Sequence, residues 1–291
     1  MQPSSDIEFS KWHGLGNDYI ILEEGALGLT LTPLRAAVIC DRHFGIGSDG
    51  ILLWGGSEAT GFRLEIFNPD GSQAEMCGNG MRILAGYLSS HGNAASSELS
   101  VTTAAGVITP AILADGQIRV HMGRARLGGP GIAGFEGVRG ESEAIGAVVA
   151  AAGRTFEFTF VSMGNPHCVI ESDGGLDNLD LELLGGAIET NELFPGRTNV
   201  EFMRVLGPSE VEMRVWERGT GETNACGTGA CAVAVAACRT RDAVSPVTVH
   251  LPGGDLVIEV DEAMEVYMTG PASEVYTGTM SEDFVNMIKE L

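Results

Sequence analysis

Apolar and polar residues alternate in two stretches, FRLEIFN at Phe62–Asn68 and VEMRVWE at Val211–Glu217, as in strands buried on one face. Downstream of each runs a segment that is apolar nearly all round, MRILAGYLSS after the first and ACAVAVAACRT after the second. A helix without a polar face has to be buried, so the pattern predicts two central helices, each inside a curved sheet. Further helices are expected at Thr32–Phe44, at roughly Leu179–Glu192 and, short and amphipathic, at Glu282–Leu291. IEFSKWHG reads as an opening strand, and Ala144–Ala152 as a turn followed by a core strand or helix. Asp115-Gly116 and Gly253-Gly254-Asp255 mark hairpins among the closing strands.

The two halves of this pattern are one unit written twice. Cys77 and Cys226, each at the start of a central helix, lie 149 positions apart, about half of the 291 residues. At that offset the two alternating strands coincide, and GSDGILL (Gly47–Leu53) falls near GRTNVEF (Gly196–Phe202). LGNDYIIL (Leu15–Leu22) meets MGNPHCVI (Met163–Ile170) one position off. An ordered series at one spacing signals internal duplication. The expected fold is α+β, with two pseudo-symmetric lobes, each a curved, mostly antiparallel sheet around a central helix. The N-terminal lobe is placed at residues 1–123 plus 271–291 and the C-terminal lobe at 124–270. The Gly-rich stretch 123–140 is the one candidate linker.

Composition removes several functions. A formal charge of −22 disfavours nucleic acid and anionic membranes as partners, since both require a positive surface. No apolar run approaches the roughly 18 residues of a membrane span, and MQPSSDIEFS carries no secretory pattern, so a cytoplasmic location is expected. Six cysteines without a CxxC pair read as reduced thiols. Fifteen arginines stand against two lysines, Lys11 and Lys289, neither well placed for a pyridoxal Schiff base. No GxGxxG opens a βαβ unit and no P-loop is present. A zinc site from Cys77, Cys226 and His167 matches no standard spacing. No cofactor and no metal are therefore expected.

A helix start offers unpaired N–H groups and a partial positive charge, which suits a carboxylate and favours a thiolate. Gly78 and Gly80, with Gly227 and Gly229, are expected to let those amides approach a ligand. If both helix starts serve one ligand, a thiol stands on each side of the carbon that bears its carboxylate. That suits removal and return of an amino-acid α-proton with inversion, the amides stabilising the enediolate as an oxyanion hole does. Cys40, Cys168, Cys231 and Cys238, in apolar contexts, read instead as small buried hydrophobes.

The sequence resembles the diaminopimelate epimerase family. The resemblance rests on FNPDGSQAEMCGNGMR (67–82) and ERGTGETNACGTGACA (217–232), with HGLGNDY (13–19), GNPHCV (164–169) and RTNVEF (197–202). Related proline racemases share the two-cysteine logic, with a histidine variant of the first motif where Asn79 stands here. The resemblance implies cofactor-independent interconversion of LL- and meso-diaminopimelate, with Cys77 and Cys226 as base and acid. It further implies that Gly78, Asn79, Gly227 and Thr228 hold the reacting carboxylate by their amides. Asn17, Asn68, Asn165, Asn199, Glu217 and Arg218 would bind the substrate's amino and carboxylate groups, and His167 and Glu217 would tune the thiols. Tyr276 matches a tyrosine of the homodimer contact. Gly50 stands where some members carry a glutamine and cannot supply its side-chain hydrogen bond. The rival readings are a racemase for another amino acid, a thiol redox or metal-binding module, and a non-catalytic amino-acid binding protein.

Overall fold

The structure is a computed structural model that describes residues 7–129, 131–133, 143–241 and 243–291. Residues 130 and 134–140 of the expected linker, and the start MQPSSD, lie outside the described residues. The chain divides into two compact units, Met1–Val120 with Gly270–Leu291, and His121–Thr269.

The first unit opens with β1 (Glu8–Gly14) and β2 (Asn17–Glu23). They form a hairpin in which Gly14 faces Asn17, so only Leu15 and Gly16 turn the chain. Both have positive φ, 57° and 89°, the conformation that a two-residue turn between twisted strands requires. There follow α1 (Glu24–Leu27), α2 (Pro33–Cys40), β3 (Ile51–Ser57), β4 (Gly61–Phe67) and β5 (Gln73–Ala74). Next come α3 (Gly78–Ser90), β6 (Val101–Thr103), β7 (Gly106–Ile108) and β8 (Ala111–Ile112). Thr32 caps α2 through its side chain, and Pro33 occupies the first helical position, where its missing N–H does no harm. The helix stops at Cys40, short of the expected Phe44, because Asp41 is extended and its carboxylate takes the His43 and Phe44 N–H groups.

Strand β9 (Ile118–Arg124) leads into the second unit. It contains β10 (Ala147–Ala151), β11 (Arg154–Ser162), β12 (Pro166–Glu171), α4 (Leu181–Glu189), β13 (Asn199–Gly207) and β14 (Glu210–Glu217). Then come β15 (Gly221–Thr223), α5 (Gly227–Thr240), β16 (Val247–Leu251), β17 (Gly254–Val260) and β18 (Glu265–Gly270). The chain returns to the first unit as β19 (Ser273–Thr279) and α6 (Glu282–Lys289).

The duplication is explicit in the pairing. The first sheet runs β19-β1-β2-β3-β4-β6-β7 with β5 beside β4, and the second contains β10-β11-β12-β13-β14-β16-β17 with β15 beside β14. The parallel pairs also correspond: β2/β3 with β12/β13, and β4/β6 with β14/β16. The sheets are thus mixed, antiparallel pairs predominating.

The middle strands β2, β3, β12 and β13 are buried on both faces, which explains why they read as continuous apolar runs. In the second unit Val200 and Phe202 join the core around Leu181, Leu184 and Ile188 of α4. Alternation turns Glu201 to the other face, toward α5, where a Cβ on Gly229 would meet its carboxylate. α5 is buried from Gly229 through Ala237 and touches β11, β12, β13, β14, β16 and β17. In the first unit Ile20, Leu22, Ile51 and Leu53 pack with Ala36 and Ile39 of α2, leaving Tyr19 and Leu52 for the α3 face. No helix among the described residues is long and apolar enough to cross a membrane.

Candidate active site

Each unit carries one thiol at a helix start, built the same way. Cys77 is the N-cap of α3: its backbone is extended and its sulfur accepts the Gly80 N–H at 3.3 Å. Cys226 is the N-cap of α5 and accepts the Gly229 N–H at 3.4 Å. Both thiols thus occupy the place normally held by Ser, Thr, Asp or Asn, in the field of the helix start. Packing also constrains Gly80 and Gly229. A Cβ at Gly80 would lie 2.9 Å from the Leu52 side chain, and one at Gly229 would lie 2.9 Å from Glu201 Oε1. They are glycines because the helix start packs tightly on the sheet.

In the first unit a one-way chain of hydrogen bonds holds the site amides. The buried Arg82 donates from Nη2 to Asn79 Oδ1 at 3.0 Å, and Asn79 Nδ2 donates to Asn17 Oδ1 at 3.0 Å. Asn17 Nδ2 donates in turn to Asp49 Oδ2 at 3.0 Å. A guanidinium only donates and a carboxylate only accepts, so the ends fix the orientation of both amides between them. Asp49 is itself held by Arg42 and by the Asp18 N–H. Tyr19, buried on β2, places its hydroxyl 3.4 Å from Cys77 Sγ. Asn68 sits in a turn, bonded through Nδ2 to Ser72 Oγ at 2.9 Å and through its N–H to the Ser72 carbonyl. Gly50 leaves no room for a side chain, since a Cβ would lie 2.6 Å from both the Phe67 carbonyl and the Tyr19 ring.

In the second unit the chain runs toward the thiol. His167, fully buried, joins Glu201 Oε1 through Nδ1 at 2.6 Å and Asn165 Oδ1 through Nε2 at 3.0 Å. Both ring nitrogens thus face oxygens. Asn165 Nδ2 donates to Thr228 Oγ1 at 3.2 Å, and Thr228 Oγ1 lies 3.6 Å from Cys226 Sγ. Asn199 is spanned by the backbone, donating to the Pro166 carbonyl and accepting the Arg218 N–H. Arg218 is exposed, with Nη1 on the Gly196 carbonyl at 3.3 Å. Glu217 accepts the Thr223 hydroxyl at 2.5 Å.

The electrostatics of Cys226 differ from the expectation that a helix start makes a low-pKa thiol. Burial, then the Glu217 and Glu201 charges, push it well above the ordinary value of 9.0, and the Thr228 hydroxyl and Gly229 N–H offset only part of this. Two carboxylates in a desolvated corner outweigh the helix field. Burial also raises Glu217, against hydrogen bonds from Thr223 and Cys226 that lower it. Burial and both carboxylates thus favour the thiol form of Cys226. Cys40, Cys168 and Cys231 are buried as expected, whereas Cys238 is half-buried. Among the described residues no cluster of three metal-ligating side chains occurs. Lys11 is tied to Asp18 and the Gly47 carbonyl.

Sequence reasoning missed the residues behind the site: Tyr19, Asp49, Arg82, Glu189 and Glu201. Glu189 receives Trp216 Nε1 at 2.7 Å and the Gly219 N–H at 2.9 Å, fixing the turn that follows Glu217 and Arg218. A signal existed for Glu201 and Arg82, since each places a charge within a run otherwise fit for burial. Tyr276 lies on the sheet-edge strand β19, 46% exposed, its ring edge-on to Phe9.

The sequence profile of the diaminopimelate epimerase family matches residues 9–128 and 159–275. Diaminopimelate epimerase of Desulforudis audaxviator is 48% identical over 278 residues, covering 94% of this chain and 98% of that protein. The Synechocystis enzyme of the same name is 46% identical at the same two coverages. Among solved structures, a hydroxyproline epimerase from Agrobacterium vitis superposes with TM-score 0.69 at 14% identity, over 97% of this chain and 94% of that one. A phenazine biosynthesis protein of the PhzF family from Bacillus anthracis gives 0.67 at 16% identity, over 95% and 99%. These two likenesses establish the fold.

Proposed function

This chain belongs to the diaminopimelate epimerase family, and we propose that it interconverts LL- and meso-diaminopimelate with Cys77 and Cys226 as the two acid–base groups. The observation that carries the assignment is the repeated N-cap thiol, one per unit, each accepting a helix-start N–H. In this reading both helix starts address the same substrate carboxylate, and the α-carbon lies between the sulfurs. One thiolate takes the α-proton from one face. The carboxylate receives the charge as an enediolate, held by the amides at Gly78, Asn79, Gly227 and Thr228. The opposite thiol returns a proton to the other face, and configuration inverts.

The protonation of Cys226 gives this cycle a starting point. Burial and the Glu217 charge favour its thiol form, which suits it to give a proton first. The reverse reaction starts from the complementary form. Asn17, Asn68, Asn165, Asn199, Glu217 and Arg218 bind the amino and carboxylate groups, with the exposed Arg218 guanidinium suited to a carboxylate. His167 acts on Cys226 through Asn165 and Thr228. The enzyme works in the cytoplasm in lysine and peptidoglycan precursor synthesis, as a homodimer through the β19 edge, where Val275 and Tyr276 are exposed.

The test is turnover in deuterated water after exhaustive chelation and treatment with carbonyl reagents. LL-diaminopimelate should yield the meso isomer with deuterium at the inverted carbon, and other amino acids should not exchange. Loss of activity on either treatment would refute the cofactor-free chemistry. Faster exchange of another amino acid would favour the racemase alternative.

A further inference from the structure

We propose that Tyr19 is a third catalytic group, its phenol donating a hydrogen bond to the Cys77 thiolate. The inference rests on the reading of Cys77 as an acid–base catalyst and adds to it a residue outside the expected set. Tyr19 Oη lies 3.4 Å from Cys77 Sγ, and the residue is 5% exposed, so its position is set by packing. The β1–β2 hairpin fixes its height, since a turn of only Leu15 and Gly16 precedes Asn17. Gly50 fixes its depth: any side chain there would collide with the ring at 2.6 Å.

The two thiols then differ in kind. Cys226 is surrounded by the Glu217 and Glu201 carboxylates, which favour its protonated form. Cys77 has the Gly80 N–H and the Tyr19 phenol within bonding distance. A thiolate only accepts, so both groups donate to it, and they stabilise the ionised form over the thiol. The phenol keeps its proton throughout, so it tunes Cys77 without joining the proton transfer.

Removing a hydrogen bond to an ionised acceptor is expected to lower the thiolate share of Cys77 by about tenfold. The experiment uses Tyr19→Phe in the full-length enzyme, which keeps the ring and its packing. Alkylation of Cys77 by iodoacetamide is followed at pH 7 by mass spectrometry, in a Cys226→Ala background. The expected result is an approximately tenfold slower alkylation. In the enzyme with both cysteines kcat falls to a similar degree, and the melting temperature holds. Incorporating 3-fluorotyrosine, a stronger donor of almost the same shape, should move the alkylation rate away from that of tyrosine, which a packing role would not do. Unchanged alkylation in Tyr19→Phe overturns the inference and leaves the role of Cys77 intact. Full epimerisation by enzyme alkylated at Cys77 overturns both.

Discussion

Replacing Asn79 by aspartate tests whether the amide chain of the first unit is directional. The change is nearly isosteric and leaves the backbone N–H at this position in place. Arg82 can still donate to the new carboxylate, but that carboxylate cannot donate onward to Asn17 Oδ1, now an oxygen facing oxygen at about the present 3.0 Å. Turning the Asn17 amide over mends that contact and opposes its oxygen to Asp49 Oδ2, again near 3.0 Å. Either way one bond is lost and one part-buried polar atom is left without a partner, about 1–3 kcal/mol as an upper range. Expressed wholly in substrate affinity, that is about a 5- to 150-fold rise in KM at 1.4 kcal/mol per factor of ten. The assay is steady-state epimerisation for KM and kcat, with thermal unfolding alongside. Repulsion between the introduced carboxylate and that of the substrate would also raise KM, so Asp49→Asn is added to the variant. In the double variant the new Nδ2 can donate to the turned-over Asn17 Oδ1, at the cost of the acceptor for the Asp18 N–H, so KM should fall below that of Asn79→Asp although the new charge remains. Wild-type KM and stability in Asn79→Asp would refute a chain whose ends fix its direction.

Glu217→Gln removes a charge that holds the proton on Cys226, so alkylation of Cys226 at neutral pH should speed up several-fold while kcat falls. Thermal stability should decline as pH rises past about 9, because Cys168 and Cys226 are raised well above 9.0 in the fold. A raised folded value means stability present below the unfolded pKa and lost above it, as unfolded thiols ionise first. Cys168→Ala should flatten that alkaline slope in melts taken from pH 7 to pH 10.

Much of the architecture could be read from the chain because burial leaves a periodic trace. The half-buried strands β4 and β14 alternate, and α3 and α5 lack a polar face, so both pairs were recognisable before any coordinates. The thiols were found for the same reason: duplication repeats Cys and Gly at one spacing. What escaped was long-range and polar. Arg82 reaches Asn79 within its own helix, but Asp49, Asn17 and Tyr19 converge only when β1–β2 and the loop before β3 fold together. Glu201 carries no local sign that it faces His167, because register between parallel strands is set by tertiary packing. The pKa of Cys226 was misjudged on the same account: the helix field is local to the sequence, and the opposing carboxylates are not.

The central claim is that each thiol serves one face of the α-carbon. The measurement is α-hydrogen exchange in deuterated water by Cys77→Ala and by Cys226→Ala, each given LL- and meso-diaminopimelate separately. Each variant keeps its backbone amides and should bind substrate, yet lose epimerisation by orders of magnitude. The remaining thiolate should exchange the hydrogen of one isomer slowly and with retention, and the two variants should prefer opposite isomers. Near wild-type epimerisation by either variant, or the same isomer preference in both, would contradict the two-thiol mechanism.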